Sequence, residues 1–137
     1  MRIFLDANIL FSACKSAGAV HELLRRLLSS KHVLCVDEYV VVEARRNLSA
    51  KAAADSLSAL DALLEKVEIA AAGVGGVEDR LVSWLPEKDR PVLAAAIRLH
   101  CDALVNGDVT HFGAGFGKSF GGVRVYSPRM LAESLLG

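Results

Sequence analysis

Lys88-Asp89-Arg90-Pro91-Val92-Leu93-Ala94-Ala95-Ala96-Ile97, running on to Ala103-Leu104-Val105-Asn106-Gly107-Asp108, decides the fold. Residues 88–101 have the apolar spacing of a helix, and Pro91 suits its first turn, where a missing N–H costs nothing. Ala103 to Val105 is a short apolar run that reads as a strand, and Asn106-Gly107 is turn chemistry. A helix followed by a strand returns the chain on itself. The acid at the helix start, Asp89, is therefore expected beside the acid at the strand end, Asp108.

The same alternation extends outward. Arg2 to Leu5 reads as a strand, residues 19–28 as a helix with Val20, Leu23, Leu24, Leu27 and Leu28 on one face, and Val33 to Val36 as a second strand. Asp37 has the chemistry of an N-cap for a helix carrying Tyr39, Val40, Glu43, Ala44 and Leu48. Residues 49–66 continue in helical spacing, and Val67 to Ala70 is a third strand. Gly73-Val74-Gly75-Gly76 reads as a loop, Val77 to Leu85 as a short helix, and the glycine-rich run from Gly107 to Gly122 as loop. Val123 to Tyr126 is a fifth strand, and Ser127-Pro128 caps a closing helix. Strands separated by helices predict an α/β fold, a three-layer α/β/α sandwich around a parallel sheet of about five strands, in a single domain over 1–137.

Composition bounds the function classes. Hydrophobic residues make up 53% and charged residues 23% of 137, which predicts a packed core and excludes a disordered chain. Sixteen basic residues balance sixteen acidic ones, so nucleic-acid binding would need a local patch. Cys14, Cys35 and Cys101 are odd in number and form no CxxC pair, which argues against a disulfide framework or a zinc site. Asp6 and Asn8 break the first apolar run, disqualifying it as a signal-peptide core. No run approaches the ~20 apolar residues of a membrane span. The expectation is a cytoplasmic protein, kept reduced.

Four acids carry the chemistry: Asp6, Glu43, Asp89 and Asp108. In open parallel sheets ligands bind beyond the carboxyl ends of the strands, where Asp6 and Asp108 fall. Glu43 lies three residues after Val40 and borders the buried stripe of its helix, so it leans toward the same crevice. Two carboxylates ~4 Å apart repel by roughly 4 kcal/mol at an effective dielectric of ~20. Four converging acids therefore call for a divalent cation, and Mg2+ or Mn2+ suits an all-oxygen set that leaves room for water and a phosphate oxygen. That points to phosphodiester hydrolysis.

Met1-Arg2-Ile3-Phe4-Leu5-Asp6-Ala7-Asn8-Ile9-Leu10, Val42-Glu43-Ala44-Arg45, the helix opening at Lys88-Asp89 and Leu104-Val105-Asn106-Gly107-Asp108-Val109-Thr110-His111-Phe112 together resemble the PIN-domain family. The resemblance spans nearly the whole chain and keeps all four acids in order. It implies a Mg2+- or Mn2+-dependent endoribonuclease, most often, in bacteria, the VapC-like toxin of a type II toxin–antitoxin pair. RNA would be the substrate, a cognate antitoxin the partner, and a homodimer the assembly. By the same resemblance Asp6, Asp89 and Asp108 would hold metal, Glu43 would complete the acidic cluster, and Asn8 would brace the loop after the first strand. The sequence departs from the usual pattern at Ala7, where many members have Thr, and at Asn106, where Thr or Ser is common; Asn106 keeps the capacity to hydrogen-bond.

Each residue also has a plainer role: Asp89 as a helix N-cap, Asp108 and Asp6-Ala7-Asn8 as turn chemistry, Glu43 as a solvated acid. Their joint order on one fold outline favours the metal site. Arg46, Arg90, Lys15 and His111 are candidates for an RNA-backbone surface, with Phe112 or Phe116 as stacking groups. Gly117-Lys118-Ser119 resembles the end of a phosphate-binding loop, but Phe112 stands where that motif needs Gly, and a strand follows where it needs a helix. Two other classes compete with a nuclease: a non-catalytic PIN-like RNA-binding or protein-interaction module, and a phosphotransfer domain. The second is disfavoured because Asn8 stands where an Asp-x-Asp motif needs its second acid.

Overall fold

The computed structural model describes residues 1–73 and 75–137; Val74, in the loop expected at 73–76, lies outside them. Six strands form one sheet in the order β3-β2-β1-β4-β6-β5, flanked by helices: β1 (Arg2–Leu5), β2 (Val33–Asp37), β3 (Glu68–Ala70), β4 (Ala103–Val105), β5 (Ser119–Phe120) and β6 (Val123–Tyr126). Neighbours are parallel except β5, which runs antiparallel to β6. Ile3, Phe4 and Leu5 on β1 and Ala103, Leu104 and Val105 on β4 are all fully buried. Both faces of these central strands are covered by helices, which is why their sequences are unbroken apolar runs and not alternating ones.

Among the described residues, seven α-helices connect and cover the strands: α1 (Ala7–Lys15), α2 (Ala19–Ser29), α3 (Glu38–Lys51), α4 (Asp55–Leu64), α5 (Arg90–Arg98), α6 (Val109–Phe112) and α7 (Pro128–Leu135). Asp37 caps α3 by accepting the Val40 amide at 2.9 Å, and Ser127 caps α7 through the Met130 amide at 3.2 Å. Both caps are the ones read from sequence. Helix α1 packs against α2, α3 and α4, burying Ile9, Leu10, Ala13 and Cys14.

Several sequence expectations need correction. The segment after β1 is a helix, α1, that begins on the residue following Asp6, with no loop between strand and helix to announce it. Residues 49–66 are not one helix: α3 ends at Lys51, Ala52 turns extended, and α4 starts at Asp55. The alanines at 52–54 all favour helix. The break is tertiary, because α4 must turn to bury Leu60 against the core. Residues 77–85 contain one 3-10 turn, Asp79–Leu81, in place of a helix. The run from Gly107 to Gly122 holds α6, a 3-10 turn and a sixth strand, so the sheet exceeds the expected five. Gly121 and Gly122, both at positive φ, form the tight turn joining β5 to β6.

Trp84 is a packing residue. Its indole stacks on Phe120 with ring centroids 4.7 Å apart, meets Phe112 edge-on at 6.2 Å and donates to the Leu81 carbonyl at 2.9 Å. A Cβ on Gly115 would overlap that indole, so the bare backbone is what lets the ring lie flat there.

Candidate active site

The carboxyl ends of β1 and β4 place Asp6 and Asn106 side by side, because the two strands pair directly, with Leu5 opposite Val105. Asp6 caps α1 through the Ala7 amide at 2.7 Å and accepts the side-chain amide of Asn106 on its other oxygen. The Asn106 carbonyl oxygen accepts Asn8 Nδ2 at 3.0 Å and the Asp108 amide at 2.7 Å, while Asn8 Oδ1 accepts the Gly107 amide at 2.9 Å. Asn106 is fully buried, and the Asn106–Asp6, Asn8–Asn106 and Gly107–Asn8 bonds lock the loop after β4 to the start of α1. The Asn106 side chain therefore bonds three partners, Asp6, Asn8 and the Asp108 amide.

A cavity of about 180 Å³ opens over this web, lined by Asp6, Glu43, Asp89 and Asp108 together with Asn8, Tyr39, Asn47 and Lys88. The four acids thus come from four segments: the end of β1, the middle of α3, the turn before α5 and the loop after β4. Asp89 makes no side-chain cap to α5, so the plain N-cap role proposed for it is not used. Asp108 does cap α6, its Oδ1 accepting the His111 amide at 3.1 Å, which leaves Oδ2 turned elsewhere.

Electrostatics follow from this crowding. The Asp6 carboxyl is pushed up to about 7, above all by burial and then by the neighbouring charges of Glu43 and Asp89, against the pull of the Ala7 amide and Asn106. The Tyr39 phenol is also raised, by burial first and then by Glu43, Asp6 and Asp89. His111 Nδ1 lies 3.0 Å from Asp89 Oδ2 and 3.0 Å from Asp108 Oδ2. Neither approach has hydrogen-bond geometry, and Asp89 Oδ2 and His111 Nδ1 are buried atoms with no hydrogen-bond partner among the described residues. A site with oxygen-rich donors, orphaned polar atoms and an unusually basic buried carboxylate fits a divalent cation. Asp89, Asp108 and His111 offer one ligand atom each within 4.8 Å of one another.

The RNA-contact candidates separate. Lys15 ends α1, about 12 Å along the helix axis from Ala7, and sets its ammonium 5.3 Å from the Phe11 ring, so it does not share the strand edge with the acids. Arg90 is committed to the main chain, donating to the carbonyls of Leu85 at 2.9 Å and Ser83 at 3.3 Å. Arg46 is exposed on α3, one turn beyond Glu43. Phe112 is core and presents no ring for stacking, while Phe116 is half-buried. Sequence reasoning missed Asn47, one turn after Glu43, and Tyr39, one turn before it. Helical spacing from Glu43 would have found both.

Neither a protein-family model nor a curated protein matches the sequence. Solved structures do. VapBC2 from Rickettsia felis, bound to a DNA fragment from their promoter, includes a chain that aligns with 93% of this one and 98% of its own length at 18% identity and a TM-score of 0.69. VapC20 of Mycobacterium tuberculosis, a Sarcin-Ricin loop cleaving toxin, aligns over 86% and 98% at 20% identity and a TM-score of 0.58. The chain has a PIN-like fold. In PIN-like terms the acid-lined cavity sits at the carboxyl edge of the parallel strands, where the fold's switch from β1 to β4 leaves room for a ligand. No helix is long and apolar enough to cross a membrane, among the described residues.

Proposed function

We propose that this protein is a divalent-metal-dependent endoribonuclease and the toxin of a type II toxin–antitoxin pair. The observation that carries the reading is the convergence of Asp6, Glu43, Asp89 and Asp108 on one small cavity. Asp6, Asp89 and Asp108 would hold Mg2+ or Mn2+. When bound, the ion polarises the scissile phosphate and eases deprotonation of a water. The protein's own part is positioning. Asn106 and the Ala7 amide hold the Asp6 carboxylate in one rotamer, the His111 amide holds Asp108, and Glu43 takes the proton of the attacking water. Lys88 on the cavity wall and Arg46 near it supply positive charge to the RNA backbone, and Asn47 and the Tyr39 hydroxyl supply polar contacts.

The neighbours support the partner half of the proposal. One is a VapBC2 assembly and the other a Sarcin-Ricin loop cleaving toxin. A cytoplasmic location and a homodimer belong to the same reading, and sedimentation showing only monomer across micromolar concentrations would remove the dimer. The central test is cleavage of a labelled single-stranded RNA pool by purified protein with Mg2+ or Mn2+, against a chelator and against Asp89→Asn. Metal-dependent cuts that vanish in the variant support the nuclease. No cutting together with no metal binding by calorimetry would favour a non-catalytic PIN-like RNA-binding or interaction module.

A further inference from the structure

The geometry points to His111 as a nitrogen ligand that makes this site prefer a first-row transition cation to Mg2+. The inference rests on the nuclease reading above and sharpens it, since four acids alone offer only oxygen.

The placement begins in the sequence Asp108-Val109-Thr110-His111. Asp108 caps the one-turn helix α6, and residues three apart on a helix share a face, so the imidazole is delivered to the carboxylate that caps its own helix. From there Nδ1 reaches Asp89 Oδ2 as well, at the same 3.0 Å. An ion pair would be the ordinary outcome of such proximity, with the ring N–H aimed at an oxygen. Here the angles satisfy a hydrogen bond to neither oxygen, and both Nδ1 and Asp89 Oδ2 are buried without a partner among the described residues. Two donor atoms facing each other without bonding have the arrangement of two ligands facing a common third atom.

The spacing fits ligands of a common ion. Six ligands about 2.1 Å from an ion set adjacent donors about 3.0 Å apart, whereas the tetrahedral arrangement of zinc at about 2.0 Å spreads them to about 3.3 Å. His111 Nδ1 stands 3.0 Å from both carboxylate oxygens, a separation that two ligands of one such ion can adopt, and the three donor atoms all lie within 4.8 Å of one another. Mg2+ is hard and gains little from imidazole, while affinity for nitrogen rises along the first-row transition series. A mixed set of two carboxylates and one imidazole therefore tilts the site away from Mg2+.

Pulsed electron paramagnetic resonance of Mn2+ bound to the full chain reads this directly. The expected result is nitrogen modulation of the Mn2+ echo that changes when the four histidines carry the heavier nitrogen isotope and disappears in His111→Ala and His111→Gln. Both variants should lose about 10-fold or more in Mn2+ affinity while Mg2+ affinity, read by competition, moves less than about 3-fold; 10-fold is the scale that even outer-sphere ligand partners reach. The isotope arm needs no variant and stands if neither folds. Mn2+ that binds without nitrogen modulation would overturn the inference and leave the nuclease reading intact, with His111 then a neighbour of two acids and no ligand. Failure of both Mn2+ and Mg2+ to bind the unmutated protein would take down both readings together.

Discussion

The two edges of the sheet treat charge in opposite ways. At the amino edge Arg2 forms a two-pronged pair with Glu68, at 2.9 and 3.1 Å, and the Arg2 amide donates to Asp102 at 2.8 Å. The hydrogen-bonded Glu68 carboxylate holds the Arg2 guanidinium above its ordinary pKa, and the guanidinium holds Glu68 below the usual carboxylate range, as matched partners do. At the carboxyl edge four acids share one cavity, one of them pushed up to about 7, and two buried polar atoms go unbonded among the described residues. One edge is arranged for stability and the other leaves charge unsatisfied until a ligand supplies it. Local strain of that kind is what a functional site retains.

Four measurements test that contrast. The largest effect falls on activity: Asp89→Asn should cut metal-dependent RNA cleavage about 1000-fold, equivalent to about 4 kcal/mol of transition-state stabilisation, with little change in unfolding midpoint. Retained cleavage would place the chemistry elsewhere. Next, the metal-free protein should lose stability as pH rises. Asp6 carries a proton in the folded state between its unfolded value near 3.8 and its folded value of about 7, so folding is favoured below this window and progressively less so through it. A rise from 3.8 to about 7 corresponds to about 4 kcal/mol as an upper scale. Urea unfolding from pH 4 to 8 should show the slope, Asp6→Asn should flatten it, and saturating Mn2+ should offset it at pH 8. A pH-independent midpoint would sink the idea that this carboxylate is strained.

Away from both edges, Gly115→Ala should cost about 1–3 kcal/mol by driving a methyl into the Trp84 indole, with the loss visible in denaturant midpoint and in tryptophan fluorescence. The smallest effect belongs to the paired edge. Glu68→Gln breaks a salt bridge whose side chains are 34% and 50% exposed, and should shift stability by under about 1 kcal/mol, less at high salt. A larger loss would show that the amino edge carries more of the fold than exposed pairs usually do.

Strands buried on both faces were legible because they are unbroken apolar runs: β4 and β6 begin and end where the sequence puts them. The caps at Asp37 and Ser127 were equally plain. What stayed hidden was set by tertiary contact. Helix α1 starts directly off β1 with no turn residues between, and the α3–α4 break falls among alanines that favour helix. The four acids were legible as a set, since each sits at the end of a strand or on the rim of a helix. His111 was legible as a charged residue near the site but not as a partner of Asp89. That depends on α6, a four-residue helix inside a glycine-rich segment that reads as loop.

The web between the first and fourth strands has a consequence for synthesis. The Asp6–Asn106 and Asn8–Gly107 bonds join positions 100 and 99 apart in the chain. A ribosome releases Asp6, Glu43 and Asp89 well before Asn106 and Asp108, so no nascent fragment ending before β4 holds a complete set of acids or the amide that orients the first of them. The four-acid cavity is thus coupled to the near-completion of translation, and a truncated chain from an interrupted message carries no such cavity.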